Sequence, residues 1–133
     1  MNTLSDETLG ALTLATRISL GVALTAITYL ALAPAPMMPS ITVWDKLNHF
    51  AAFFVLAGLC DYSFPGPSWR KRVFIYLFLY GVALELIQWA TEYRTVEYWD
   101  ILANTVGLLS FLVIRPALAN IAILRQLQKE YQP

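Results

Sequence analysis

The chain has 133 residues, 58% hydrophobic and only 14% charged, with nine basic residues balancing nine acidic ones. A soluble domain carries about 25% charged residues, so this composition points to a membrane protein, and its zero net charge leaves no electrostatic footprint for nucleic acid. The single cysteine, Cys60, lies in an apolar run, which excludes an internal disulfide and a Cys–His metal site.

Four apolar runs follow one another, and their spacing predicts spans over about 11–33, 45–62, 72–91 and 100–116. The first ends at Ala33-Pro34-Ala35-Pro36, because the residue before a proline is pushed out of the helical region. Ala31-Leu32-Ala33 resembles a signal-peptide cleavage site, but the leader carries Asp6 and Glu7 and only Arg17 as a cation. The first run is therefore expected to stay as a span. The second stops at Ser63-Phe64-Pro65-Gly66-Pro67, and Arg115-Pro116 interrupts the fourth. A spanning helix needs about 20 residues, so the second and fourth runs suffice only if their polar first turns lie at membrane depth. The tail from Leu118 to Tyr131 places Ile121, Leu124 and Leu127 on one side. That pattern suits either a short amphipathic helix on the inner membrane surface or a continuation of the fourth helix past a proline kink. Strands are excluded, since period-2 alternation is absent and open sheet edges do not occur in lipid. The expected fold is all-α: one unit over 1–133, an integral membrane bundle of four transmembrane helices with a short amphipathic or kinked C-terminal helix.

Lysine and arginine set the orientation. Arg70, Lys71 and Arg72 lie between the second and third runs, Arg17 starts the first, and Arg115, Arg125 and Lys129 follow the fourth. The loops of the opposite side carry only Lys46 and Arg94. Both termini are therefore expected in the cytoplasm, with Trp44, Trp89 and Trp99 at the outer boundary and Trp69 at the inner one.

The third run contains Glu85. An ionisable group within a span costs about 2.5–3.5 kcal/mol on insertion scales, which marks it as a functional candidate. The expected topology gives it neighbours. Asp45, Asn48 and His49 share a face at the start of the second run, beside Lys46; Gln88 follows Glu85 on the third, and Asp100 and Asn104 open the fourth. By helical rise, Glu85 lies about 9 Å below the outer boundary, Gln88 about 4–5 Å, and His49 and Asn104 about 6 Å. Small residues one turn deeper, Ala52, Gly81 and Gly107, let the helices approach closely. The expected picture is a tight lower bundle that opens outward into a polar pocket under Arg94.

Structural roles compete for each residue. Asp45 and Asp100 can act as helix N-caps, Asn104 and Gln88 as interhelical hydrogen bonds, and His49 as a partner of Glu85 or Asp45. A histidine near a carboxylate is the minimum for general acid–base work, so His49 and Glu85 are the catalytic candidates. No serine, threonine or cysteine has a nucleophile context. Asp45, His49, Glu85 and Asp100 suit a hard or borderline cation, but their spacing is not diagnostic, and neither metal nor cofactor is expected. Recognition is the other chemistry: phosphate on Lys46 and Arg94, and amines or hydroxyls on the carboxylates, as in a zwitterionic or polyol headgroup.

Asp45-Lys46-x-x-His49-Phe50, Glu85-x-x-Gln88, Arg94 and Asp100-Ile-x-x-Asn104-x-x-Gly107 occur in that order over residues 40–114. This series resembles the VanZ-like family of small membrane proteins. The resemblance implies that Asp45, Lys46, His49, Glu85, Gln88, Arg94, Asp100 and Asn104 are signature positions. It also implies a multi-pass protein of the bacterial cytoplasmic membrane. The family's founding member is associated with low-level resistance to the glycopeptide teicoplanin, and no substrate or catalytic assignment comes with the resemblance. The leading expectation is a non-enzymatic protein that binds a lipid or cell-envelope headgroup in the outward pocket. Its expected partners are membrane lipids, a lipid-linked envelope precursor, and a protein partner or second copy. The alternative is a proton-coupled lipid translocator or membrane-embedded enzyme working through a His49–Glu85 pair.

Overall fold

The computed structural model describes residues 4–33, 42–64, 66–91, 97–118, 120, 121, 124, 126 and 127. Among them are four helices: α1 (Asp6–Leu32), α2 (Thr42–Ser63), α3 (Pro67–Ala90) and α4 (Tyr98–Leu118). The Ser5 hydroxyl caps α1 by accepting the Thr8 N–H at 3.3 Å, and Asp6 and Glu7 complement the positive end of its dipole. Between α2 and α3 the chain turns at Gly66, whose φ of 147° favours a residue without Cβ. Pro67 then starts α3 at a position where its missing N–H costs nothing. Arg115-Pro116 interrupts the apolar run but not the helix. Pro116 is accommodated inside α4, which runs on to Leu118.

Three of the helices are long and apolar enough to cross a membrane: α1, α3 from Arg70 to Ala90, and α4, with mean hydropathies of 1.5, 1.7 and 1.7. α2 is not among them, because Asp45, Lys46, Asn48 and His49 crowd its start and Asp61 its end. Yet α2 is the centre of the bundle. It packs on all three other helices, most extensively on α4. Phe53, Leu56, Ala57 and Cys60 of α2 form the core with Leu20, Leu77, Leu108 and Phe111. The outward faces along the middle of the helices are apolar: Ile18 and Val22 on α1, Tyr76 and Leu79 on α3 and Val113 on α4 are all more than half exposed. An apolar exterior around polar contacts between helices is what a lipid solvent selects.

The polar contacts fix the directions of the helices. Lys46 meets Asp100, His49 meets Asn104 and Asp61 meets Arg115, at sequence offsets of 54, 55 and 54. A constant offset means that α2 and α4 run parallel in one register. α1 and α3 run the opposite way, with Gln88 reaching the Ala31 carbonyl at one end and Arg17 the Ser63 carbonyl at the other. The chain thus alternates direction from helix to helix. At the tail, Gln126 Oε1 accepts the Leu4 N–H at 2.9 Å and Leu127 is buried. The remainder of the helix expected over 118–131 lies outside the described residues.

Of the three small residues expected at close approaches, Gly107 sits at the tightest. A Cβ there would run into the Phe50 backbone carbonyl, so α2 and α4 touch backbone to backbone. A Cβ on Gly81 would meet the Phe53 ring at 2.9 Å and the Asn104 amide at 3.2 Å, while Ala52 is half-buried. Gly107→Ala is expected to destabilise the bundle by about 1–3 kcal/mol through overpacking, read as a lower thermal midpoint in detergent. Gly10→Ala, where nothing lies within 4 Å, is expected to leave the midpoint unchanged or raise it slightly.

A packed polar cluster at one end of the bundle

The site is built where the first turns of α2 and α4 lie side by side. Lys46 and His49 are three residues apart and share the face of α2 turned to α4. The Lys46 ammonium hydrogen-bonds Asp100 Oδ1, donates to Glu97 Oε2 at 2.5 Å and lies 3.9 Å from Asp45 Oδ2. His49 Nδ1–H donates to Asn104 Oδ1 at 3.0 Å, and Nε2 lies 3.8 Å from Asp100 Oδ2. Asp100 is therefore the hub, with a lysine on one oxygen and a histidine facing the other. Its side chain is only 10% exposed, so this pairing offsets much of its desolvation cost.

α3 joins from the side. Gly81 packs on the Asn104 amide, and α3 and α4 run antiparallel. One turn towards the same end takes Gly81 to Glu85 and Asn104 to Asp100. Glu85, 2% exposed, thus lies at the level of Asp100. Gln88, one turn further, donates its amide to the Ala31 carbonyl at 2.7 Å. It closes the last turn of α1 against α3 and serves as the interhelical hydrogen bond that was one of its two expected roles.

Asp45, Lys46, His49, Asp100 and Asn104 are thus brought together, with Glu85 beside them. Asn48 is not: two residues turn a helix about 200°, so it faces away from Lys46 and is exposed. Lys46, expected to meet a phosphate, is instead engaged by two carboxylates. The ring nitrogens of His49 are directed at Asn104 and Asp100, neither of which was its expected partner. Arg94 and Glu92 lie outside the described residues. Of the expected aromatic belt, Trp89 and Trp99 are exposed at this end, while the side chains of Trp44 and Trp69 lie outside the described residues.

Three residues not expected at a site make polar contacts as well. Glu97 immediately precedes α4, and Asp61 and Arg115 form a second buried pair at the far end, Nε to Oδ2 at 2.7 Å. Their signal was spacing: Lys46 and Asp61 are 15 residues apart, as are Asp100 and Arg115, with the order of charges reversed.

Chemically, the cluster is rich in carboxylates. Asp45, His49 and Asp100 each offer a donor atom, all within 4.8 Å of one another, as a metal ion would require. The protein's own ammonium, Lys46, stands among the same carboxylates.

Removing one partner of a fully buried pair costs about 3–5 kcal/mol. Lys46 retains 32% exposure, so Lys46→Met is expected to cost about 1–3 kcal/mol, and adding Asp100→Asn to recover at least half of it. Thermal unfolding in detergent checks this; equal losses in the single and double variants would contradict it. The hydrogen bond from Lys46, reinforced by its charge, holds the Glu97 carboxyl below the usual carboxylate range. A carboxyl lowered on folding stabilises the fold above its unfolded pKa of about 4.3, and that contribution is lost as pH falls through the folded value. Glu97→Gln is expected to lower the thermal midpoint slightly at neutral pH and to converge with wild type in stronger acid.

A model of the VanZ/LLP1 family matches residues 6–119. The match takes in all four helices, including every described member of the cluster. No curated protein and no solved structure matches the chain. With most of its length matched, this chain belongs to the VanZ/LLP1 family.

Proposed function

We propose that this chain is an integral membrane protein of four spans whose polar end binds a lipid or cell-envelope headgroup on the outer face of the bacterial cytoplasmic membrane. The supporting observation is the concentration of ionisable groups at one end of the bundle: Asp45, His49 and Asp100 within 4.8 Å of one another, Lys46 bonded to Asp100 and Glu97, and Glu85 buried at their level. Such groups are costly in a span, and packing alone would be served by amides. α2 acts as the fourth span. Its 22 residues cover about 33 Å, enough for a hydrocarbon core of about 30 Å. Its Lys46, His49 and Asp61 are sheltered against α4, while its Asn48 is exposed. The excess of arginine and lysine at the other end supports cytoplasmic termini.

The charge balance narrows the ligand. Asp45, Glu85, Glu97 and Asp100 face one lysine and one histidine among the described residues of the cluster. Lys46 is held by two acids and is poorly placed to take a phosphate. A ligand group that donates hydrogen bonds, an amine or a hydroxyl, suits the acids better. This favours the amino or polyol part of a headgroup over its phosphate as the part recognised here. A link to envelope integrity or glycopeptide susceptibility, as associated with the family's founding member, is part of this same proposal.

A second reading is favoured by one observation, the sequence of titratable groups from Glu85 through the level of Asp100 to His49. It is the proton-coupled translocator or membrane enzyme, with His49 and Glu85 at the two ends of a relay. Glu85→Gln separates the two. Lipids that co-purify with wild type are compared with those of the variant by mass spectrometry. A headgroup-binding protein is expected to lose its co-purifying lipid in the variant. A variant that keeps the ligand yet loses turnover or transport supports the relay and overturns the binding reading.

A further inference from the structure

The far end of α2 carries a second feature that the polar cluster does not use. A half-open crevice of about 20 Å3 lies between α2, α3 and α4. Its walls include Ala57, Val73, Phe74, Leu77, Leu108 and Leu112, and its polar members are Asp61 and Arg70. That volume admits about one water-sized group, so no ligand is enclosed whole. What fits is an elongated apolar group laid along the open side with a polar group at its end.

The polar group must be an acceptor. Arg70 Nε is buried and has no acceptor among the described residues. Asp61, the acid of the crevice, binds the Arg115 guanidinium through Oδ2. Arg17, Arg70, Lys71, Arg72 and Arg115 all lie at this end. The acids Asp6 and Glu7 begin α1 ten or more residues before Arg17, about 15 Å further out along the helix. A guanidinium at an aliphatic slot matches a phosphodiester with a hydrocarbon tail. The depth agrees. Arg70 opens the apolar stretch of α3 and Leu77 lies seven residues further in, about 10 Å by helical rise, so in a bilayer the guanidinium would stand nearer the phosphates and Leu77 among the acyl chains.

We propose that this crevice binds an anionic phospholipid, with its phosphate on Arg70 and the first part of one acyl chain against Val73, Phe74 and Leu112. The site is separate from the acidic cluster and does not depend on what binds there. It requires only that the helices stand in a bilayer, and the arginine-rich end suits the leaflet where anionic lipids concentrate.

The full chain in neutral detergent is titrated with phosphatidylglycerol and with phosphatidylcholine of the same acyl chains, and bound lipid is counted by native mass spectrometry. Phosphatidylglycerol is expected to bind about fivefold more tightly, the factor for one basic residue at a membrane surface. Arg70→Gln is expected to abolish the preference, and Glu85→Gln to keep it. Millimolar inorganic phosphate is expected not to compete, since it lacks the chain. As a readout that needs no variant, phosphatidylglycerol with a photoreactive acyl chain is expected to label wild type within residues 70–77 and 105–112. Equal affinity for the two lipids overturns the proposal. So does an unchanged preference in Arg70→Gln, displacement by inorganic phosphate, or label spread evenly over the outer faces of α1 and α3. Loss of envelope-ligand binding in Glu85→Gln with this preference intact would show the two sites to be independent.

Discussion

α2 is held to α4 by ion pairs at both ends, and the rest of the bundle follows from that. Lys46 meets Asp100 at one end and Asp61 meets Arg115 at the other. Fifteen residues separate the pairs on each helix, about 22 Å by helical rise. In the proposed four-span arrangement, upright and centred in a hydrocarbon core about 30 Å thick, each pair would lie about 4 Å inside its boundary. Unpaired charges at that depth would drive either helix out of the bilayer. Paired, they set direction and register at once, because sliding α4 by a turn would separate both pairs together. Gly107 lets the two backbones touch between them. α2, too polar to resemble a span, can therefore sit in the middle with α1, α3 and α4 around it.

The same constraint explains why the site is packed. Asp100 anchors the helix pair through Lys46 and faces His49, so groups that look available for chemistry also hold the fold. Lys46 supplies the cation that the acids require, and a ligand must compete with it or add to it. Acceptors outnumber donors around the ammonium, which makes a donor-bearing ligand the better addition. Glu85 lies on α3, outside the α2–α4 pair that Asp100 ties together. A change there tests function with less risk to the fold.

Much of the fold is legible in the residues. Proline and glycine mark the end of α1 and the turn from α2 to α3, and the apolar runs give four helices within a few residues of their observed bounds. The meeting of Asp45, Lys46 and His49 with Asp100 and Asn104 is legible too, once alternate helices are set in opposite directions. Partner choice is not. Nothing local says that His49 turns to Asn104 and Asp100, because that depends on the rotation of α2 about its own axis, which the contacts with α4 set. The same rotation exposes Asn48, although it lies three residues from Asp45. Asp61 and Arg115 were hidden because polar residues near the end of an apolar run look like loop. Only the matched spacing on two helices betrays them. Pro116 reads as a stop but lies close enough to the end of α4 that losing one hydrogen bond does not break the helix.

The claim that α2 crosses the membrane as a buried fourth span is a matter of parity, and parity is measurable. In a chain with Cys60 replaced by alanine, single cysteines at Glu7, Lys71 and Tyr98, all exposed positions, are labelled in intact cells with an impermeant maleimide. If α2 spans, positions 7 and 71 react alike, only after permeabilisation, and position 98 reacts from outside. If positions 7 and 71 react from opposite sides, α2 does not cross. The ion pairs with α4 would then not form at membrane depth, and the account of both ends of the bundle would fail.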